Sequence, residues 1–222
     1  MKNLRIVLNA AQRYAPMTDP ESKAVFERWR WNHIYPPGTT VNEATDWTLR
    51  AVEPLINALR TPELDVVLAY WGQVPSPWGL LTVANTLLGN HENVARFYIE
   101  PIECLIKGPG YVQTLLNIEY MNGFMDLLIH KAHGAFGGGM SCLSFYFVPT
   151  EHFNEAVHSD LVFAIDRPKL TSKELHLLEV CPYILLLGVD SDVITAGANG
   201  SHGEKLLAVL KDLWPEAVYG ER

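Results

Sequence analysis

Two histidines and two carboxylates recur at helical spacing in the middle of the chain. These residues are Glu119, Asp126, His130 and His133. If residues 111–133 form one helix, a rotation of about 100° per residue places all four, with Asn122, on a polar stripe about a quarter of the circumference wide. A carboxylate that orients a histidine makes an acid–base unit, so we interpret the four residues as candidate catalytic groups.

Two other interpretations of this stripe remain open. The same spacing could bring Asp126, His130 and His133 to one metal ion, although the sequence offers no evident further ligand. A mostly buried helix must also present one strip to water, and that strip is polar whether or not it has a function. The sequence therefore predicts no specific metal site, and the cofactor, if there is one, is unknown.

Glycines follow the stripe directly, at Gly134 and at positions 137–139. Glycine lets the backbone approach a ligand closely, and segments beside a polar stripe often border small-molecule sites. We therefore expect Gly138 and Gly139 to contact a substrate. The alternative is a flexible connection between a helix and the next strand.

The segment 197–205 (GANGSHGEK) is the second place where chemistry is expected. It follows a predicted strand and opens a predicted helix, so its N–H groups and the partial positive charge of the helix N-terminus could bind an anion. The candidate substrate-binding residues here are Asn199, Gly200, Ser201 and His202. The order of the glycines matches neither the phosphate loop nor the dinucleotide-binding fingerprint. A tight turn capped by Ser201 is the alternative.

An aromatic loop follows the predicted strand 64–71. Trp71 could stack on a flat ring of a ligand, and Gln73 could hydrogen-bond the edge of that ring. If the strand belongs to a parallel sheet, the loop leaves its carboxyl end, where ligands of open α/β sheets bind. A packed loop or a subunit contact is the alternative. The aromatic residues at 29–35 favour an arm that reaches a neighbouring subunit over a lid on the site.

Several catalytic patterns do not occur in the sequence. It contains neither the G-x-S-x-G nucleophile turn nor the H-E-x-x-H zinc helix. The three cysteines Cys104, Cys142 and Cys181 are widely spaced and form no CxxC pair, so we expect buried, reduced thiols rather than disulfides or metal ligands. Reduced thiols favour a cytoplasmic location.

Hydrophobic periodicity predicts the elements that must position these residues. Strands are expected at 4–8, 64–71, 94–102, 141–148, 161–165, 183–189 and 193–195. Helices are expected at 46–60, 80–88, 111–133, 150–158, 171–179 and 201–214, the last two with capping boxes. Residues 12–44 are expected to be mostly loop, with room for one short helix around 21–31. The order predicts an α/β fold with a mixed or mostly parallel sheet covered by helices, strands and helices alternating in the C-terminal half. We expect one domain over residues 1–222, any sub-boundary lying near 107–110.

Charge and hydropathy narrow the classes of partner. The net charge is −8 and no basic stripe occurs, which argues against nucleic acid and anionic membranes as partners. The first residues do not resemble a signal peptide, and no apolar run is long enough to span a membrane. A mean hydropathy of +0.04 is high for a soluble monomer and favours a homo-oligomer.

These observations together predict a small-molecule enzyme that binds an anionic substrate. His130 or His133 would act as the acid–base residue, and the reaction would be of the lyase, isomerase or transferase type. Two alternatives stay open. The first is a non-catalytic ligand-binding or assembly protein, and the second is a metal-dependent hydrolase that uses Asp126, His130 and His133.

Overall fold

The computed structural model of the chain describes residues 3–10, 18–38, 40–72, 101–106, 112–117, 142–153, 169–187 and 193–221. Nine strands occur in these ranges: β1 (Arg5–Leu8), β2 (Trp29–Tyr35), β3 (Leu64–Gly72), β4 (Pro101–Ile106), β5 (Val112–Asn117), β6 (Cys142–Pro149), β7 (Tyr183–Leu187), β8 (Ile194–Asn199) and β9 (Val218–Glu221). The α-helices described are α1 (Pro20–Glu27), α2 (Val41–Leu59), α3 (Ser172–Val180) and α4 (His202–Leu213). A short 3-10 turn, Thr150–His152, follows β6.

The strands form one mixed sheet, in the order β4-β5-β3-β6-β7-β8-β2-β1-β9. The β1–β9 pairing is parallel, and the other pairings are antiparallel. The predicted α/β fold with a mixed sheet is thus confirmed. Because β3 runs antiparallel to both β5 and β6, the premise that strand 64–71 is a parallel strand is wrong. The loop that follows Gly72 lies outside the described residues, so the ligand site predicted there stays a prediction.

Helices cover both faces of the middle of the sheet, because successive side chains of a strand point to opposite faces. Along β6, Phe145 and Phe147 belong to one buried cluster, whereas Tyr146 and Val148 belong to another. The first cluster includes side chains of α2 and α4. The second includes side chains of α1 and α3. The fold therefore has three layers, with the sheet in the middle.

The helix α2 shows how local sequence signals define its ends. Thr40 and Glu43 form a capping box in which each side chain accepts a hydrogen bond from the other residue's backbone N–H, so the helix begins five residues before the predicted position 46. Its apolar side is fully buried at Val52, Leu55, Ile56 and Leu59. Pro54 lies inside the helix on its exposed side.

The aromatic residues at 29–35 form β2 and do not form an arm or a lid. The strand lies inside the sheet between β1 and β8, and Trp29 and Trp31 are each 5% exposed. A Cβ on Gly197 would lie 2.5 Å from the Trp31 ring, so the absence of a side chain at that position is what lets the indole lie against β8. The prediction of an intersubunit arm is wrong because the period-two pattern W-x-W-x-H-x-Y belongs to a buried strand.

The predicted helix 111–133 is wrong at its start. Residues 112–117 form β5, which pairs with β3 on one side and β4 on the other. A short apolar run such as VQTLLN fits a strand and a helix equally well, and only pairing with its neighbours decides between them. The remainder of that predicted helix lies outside the described residues, as do the predicted helix 80–88 and strand 161–165.

Most other predicted elements are confirmed within a few residues of their ends. They are the strands 4–8, 64–71, 141–148 and 183–189 and the helices 46–60, 171–179 and 201–214. The strand predicted at 193–195 continues to Asn199. The capping box predicted at Ser201 is wrong, because Ser201 has helical backbone angles (φ −63°, ψ −17°) and its side chain makes no capping hydrogen bond. None of the helices in the described part of the chain is both long and apolar enough to cross a membrane.

Candidate functional site

A cleft of about 290 Å³ opens at one end of the sheet. Because β6 runs antiparallel to β3 and β7, the end of β6 lies beside the starts of its two neighbours, and the start of α4 lies above them. The cleft is lined by Thr61, Glu63, Leu64, Pro149, Glu151, Val180, Pro182, Tyr183, His202 and Lys205. Its volume falls near the lower limit for pockets that bind small molecules.

One wall of the cleft carries two carboxylates. Glu63 precedes β3 and Glu151 lies in the 3-10 turn after β6, and both are exposed. The N–H of Thr150 donates to the carbonyl oxygen of Glu63 at 3.0 Å, which holds the two segments together. A hydrogen bond from the Thr61 side chain lowers the pKa of the Glu63 carboxyl below its ordinary value. This wall is therefore negative at neutral pH.

The other wall carries His202 and Lys205, which stand three residues apart at the start of α4 and so face the same side of the helix. The turn before them depends on Gly200, whose φ of 47° lies in the left-handed region that favours glycine. Partial burial lowers the pKa of the His202 imidazole, and the nearby Lys205 ammonium lowers it further. His202 is consequently neutral at pH 7 and able to accept a proton.

Tyr183 forms the buried part of the cleft. The residue is 1% exposed, and burial raises its pKa. Its ring meets the His202 ring edge to face at 5.4 Å and the Phe147 ring at 5.6 Å. Its hydroxyl has no hydrogen-bond partner among the described residues. An unsatisfied buried hydroxyl costs about 1–3 kcal/mol of folding free energy, and this hydroxyl has almost no surface that a molecule in the cleft could contact.

The predicted binding residues of segment 197–205 have different surroundings. His202 lines the cleft, and Gly200 and Ser201 directly precede it. Asn199 ends β8, where its side-chain nitrogen donates to the carbonyl oxygens of Leu178 at 3.2 Å and Glu179 at 2.7 Å. The donors of Asn199 are thus engaged in holding the end of α3 against the sheet.

The structure does not bring Trp71 near the cleft. Leu64 lines the cleft at the start of β3, and Trp71 pairs with Gln113 and Cys142 seven residues further along the strand, roughly 23 Å away. The other candidate site residues lie outside the described part of the chain and stay predictions. They are Gln73, Glu119, Asp126, His130, His133, Gly138 and Gly139.

Sequence reasoning missed Glu63, Glu151 and Tyr183. The glutamates resemble ordinary surface charges, and Tyr183 resembles any apolar residue at the start of a buried strand. No local pattern joins them, because the contact between them depends on the order of strands. Lys205 lies in the segment 197–205, and its spacing of three residues from His202 was the one available signal.

Neither a metal cluster nor a reactive thiol is found in the described ranges. Within them, no three His, Cys, Asp or Glu side chains are grouped so that they could hold a metal ion. Cys181 is a free thiol, and complete burial raises its pKa to about 12, so it stays protonated. The side chains of Cys104 and Cys142 lie outside what the structure describes.

The residues that line the cleft provide a neutral imidazole, an ammonium group, two carboxylates and a buried phenol. Models of known protein families, curated proteins and solved structures were each compared with the chain, and none matches it.

Proposed function

We propose that the protein binds a small molecule with an anionic group in this cleft and transfers a proton to or from it through His202. The observation that carries the proposal is the placement of His202 and Lys205 together in one cleft at the start of α4, where partial burial and the Lys205 ammonium lower the pKa of the His202 imidazole. Lyase, isomerase and transferase reactions all use a positioned base of this kind.

The anionic group has two sources of attraction at α4. Lys205 supplies a full positive charge on the wall of the cleft. The N-terminus of the 12-residue helix adds a partial positive charge, because its first N–H groups have no intrahelical acceptors. An oxyanion held here would lie next to His202, within reach of proton transfer.

This proposal assigns the base to His202, whereas the sequence pattern favoured His130 or His133. Those two histidines, with Asp126 and Glu119, remain a prediction, and so does the metal-dependent hydrolase built on them. The homo-oligomer and the cytoplasmic location are proposals of the same kind. Equimolar metal in the purified protein would support the hydrolase.

The exposure of the cleft favours one alternative function. His202, Lys205 and both glutamates are all exposed to water. Sites of proton transfer usually exclude water, so an open cleft also suits a protein that binds a ligand without converting it. The same anion would then be held by the same residues as a regulatory or transported ligand.

One experiment tests the proposal and separates it from the alternative. We would add small carboxylates and organic phosphates to the full-length protein and follow the His202 ring resonances and the ligand signals by NMR. Specific shifts at His202 with slow conversion of a ligand are expected, and His202→Gln should abolish conversion while His176→Gln, on the exposed side of α3, should not. Binding without conversion would support the non-catalytic function. Absence of any shift at His202 would refute the proposed site.

A further inference from the structure

Asn199 and Gly200 form an asparagine–glycine pair at the turn between β8 and α4. Asparagine followed by glycine is especially prone to spontaneous deamidation, because glycine has no side chain to hinder attack on the preceding amide. Gly200 is exposed to water, and Asn199 is half-buried. The turn therefore carries a chemical reactivity that the proposed function does not use.

The deamidation reaction needs only base and water. The backbone nitrogen of Gly200, after losing its proton to base, attacks the side-chain carbonyl carbon of Asn199. A new C–N bond closes a succinimide ring, the bond to the side-chain amide nitrogen breaks, and ammonia leaves. Water then opens the ring at either carbonyl carbon. The products are aspartate and isoaspartate, and isoaspartate has an extra methylene group in the main chain.

Hydrogen bonds hold both reacting groups in the folded protein. The side-chain nitrogen of Asn199 donates to the carbonyl oxygens of Leu178 at 3.2 Å and Glu179 at 2.7 Å. The N–H of Gly200 donates to the carbonyl oxygen of Arg28 at 3.2 Å. The attack requires the Asn199 side chain to turn toward this nitrogen and the nitrogen to lose its proton. The contact of the turn with α1 and α3 must therefore open before the reaction can occur.

The product would be unable to restore this contact. At neutral pH an aspartate carboxylate accepts hydrogen bonds but donates none, so it would set oxygen against oxygen where the amide now donates to Leu178 and Glu179. The longer main chain of isoaspartate would in addition disturb the pairing of position 199 with Trp29 in β2. Either product removes the side-chain hydrogen bonds that tie the end of α3 to β8.

We propose that Asn199 is a deamidation site that acts as a one-way switch. The closed contact between α3 and β8 protects the amide, local opening exposes it, and the product keeps the contact from closing again. Arg28 supports the protected state twice, because its carbonyl oxygen holds Gly200 and its guanidinium donates to the Glu179 carboxylate at 2.7 Å. The switch does not depend on which ligand the cleft binds.

Mass spectrometry of peptides from the full-length protein measures the rate of the reaction. The protein is kept in mildly alkaline buffer, either folded or in urea, and then digested. The chain contains a second asparagine–glycine pair, Asn122–Gly123, which serves as an internal standard in urea, where the two pairs should react at similar rates. In the folded protein we expect Asn199 to react about tenfold more slowly than in urea, because the contact must open first.

Two matched variants test whether this contact sets the rate. Arg28→Ala removes the exposed ion pair with Glu179, and we expect deamidation of the folded protein to become about threefold faster. Lys23→Ala removes the exposed ion pair with Glu27 inside α1 and should leave the rate unchanged.

The effect of the product is tested with Asn199→Asp. We expect a lower thermal midpoint and about tenfold faster amide hydrogen exchange in α3. The control is Asn9→Asp, which makes the same charge change at an exposed position. The same measurements on aged wild-type protein, in which the product forms after folding, apply if Asn199→Asp does not fold.

Three outcomes would overturn the proposal. Equal rates at Asn199 in the folded protein and in urea would show that the contact gives no protection. A rate in Arg28→Ala equal to that of the wild type, including no reaction in either, would show that the contact does not set the rate. Stability and exchange in Asn199→Asp and in the aged protein equal to those of Asn9→Asp would show that the product releases nothing.

Discussion

The two faces of the sheet bury different kinds of side chain. On the face covered by α2 and α4, the buried cluster of mainly aliphatic side chains reaches Tyr183, a residue that lines the cleft and whose buried hydroxyl has no described partner. On the face covered by α1 and α3, stacked aromatic rings fill the interior, and polar contacts fasten the helices. The two faces of the sheet therefore differ in what fills them, mainly aliphatic side chains on one and stacked aromatic rings on the other.

Three polar contacts hold the helices on the face covered by α1 and α3. The Arg28 guanidinium donates to the Glu179 carboxylate at 2.7 Å, which links the end of α1 to the end of α3. Asn199 ties α3 to β8. The Ser22 hydroxyl accepts a hydrogen bond from the N–H of Leu170 at 3.0 Å. Polar side chains are thus paired at the points that hold α1 and α3 in place, whereas buried polar atoms without a described partner occur on both faces, at the Tyr183 hydroxyl on the first and at Trp29 Nε1 on the second.

The largest loss of stability is expected when a buried side chain is removed from the face covered by α2 and α4. Phe147→Ala removes a fully buried ring that contacts Tyr183, and we expect the free energy of unfolding to fall by about 4 kcal/mol. Denaturant unfolding measures the change. A loss below about 1 kcal/mol would mean that this interior is not closely packed.

A smaller loss of stability is expected when a side-chain atom is added against the aromatic rings on the face covered by α1 and α3. Gly197→Ala places a Cβ 2.5 Å from the Trp31 ring, and we expect a loss of about 2 kcal/mol in the free energy of unfolding. The matched control is Gly220→Ala in β9, where a Cβ would meet nothing within 4 Å. Equal stability of the two variants in thermal unfolding would show that the stacked rings shift freely.

Two tyrosine variants test whether the Tyr183 hydroxyl is unpaired, because the change in stability should have opposite signs in the two. Tyr183→Phe removes a hydroxyl without a described partner, so we expect the protein to gain up to about 1 kcal/mol of stability. Tyr219→Phe removes a hydroxyl that donates to the carbonyl oxygens of Leu210 and Trp214, and should lose about 1 kcal/mol. If both variants were destabilised alike, the Tyr183 hydroxyl would have a partner in the free protein.

The smallest effect concerns the titration of His202. Its folded pKa lies below the ordinary value of 6.5, so the unfolded state binds the proton more readily and folding stability falls as the pH drops below about 6.5. Lys205→Met should raise the pKa of His202 in an NMR titration without restoring the ordinary value, because burial is the larger cause. An unchanged pKa would place Lys205 away from the imidazole.

Elements with one dominant period were predictable from the sequence. The apolar run YILLL predicts a buried strand in any surroundings, and the apolar side of α2 follows the helical period through Pro54. The segment 112–117 was not predictable, because a short run of this kind suits a helix and a strand equally well and pairing with neighbouring strands decided the outcome. The segment 29–35, in contrast, carries the period-two pattern that is typical of a strand.

The candidate site also contains residues that the sequence predicts and residues that only the fold brings together. The sequence by itself determined that a glycine turn followed by His202 and Lys205 would begin a helix, because backbone conformation and helical spacing are local properties. Only the tertiary structure decided that Glu63, Glu151 and Tyr183 meet them. The antiparallel pairing of β6 with β3 and β7 brings distant segments to one end of the sheet, and strand order depends on the packing of the whole fold.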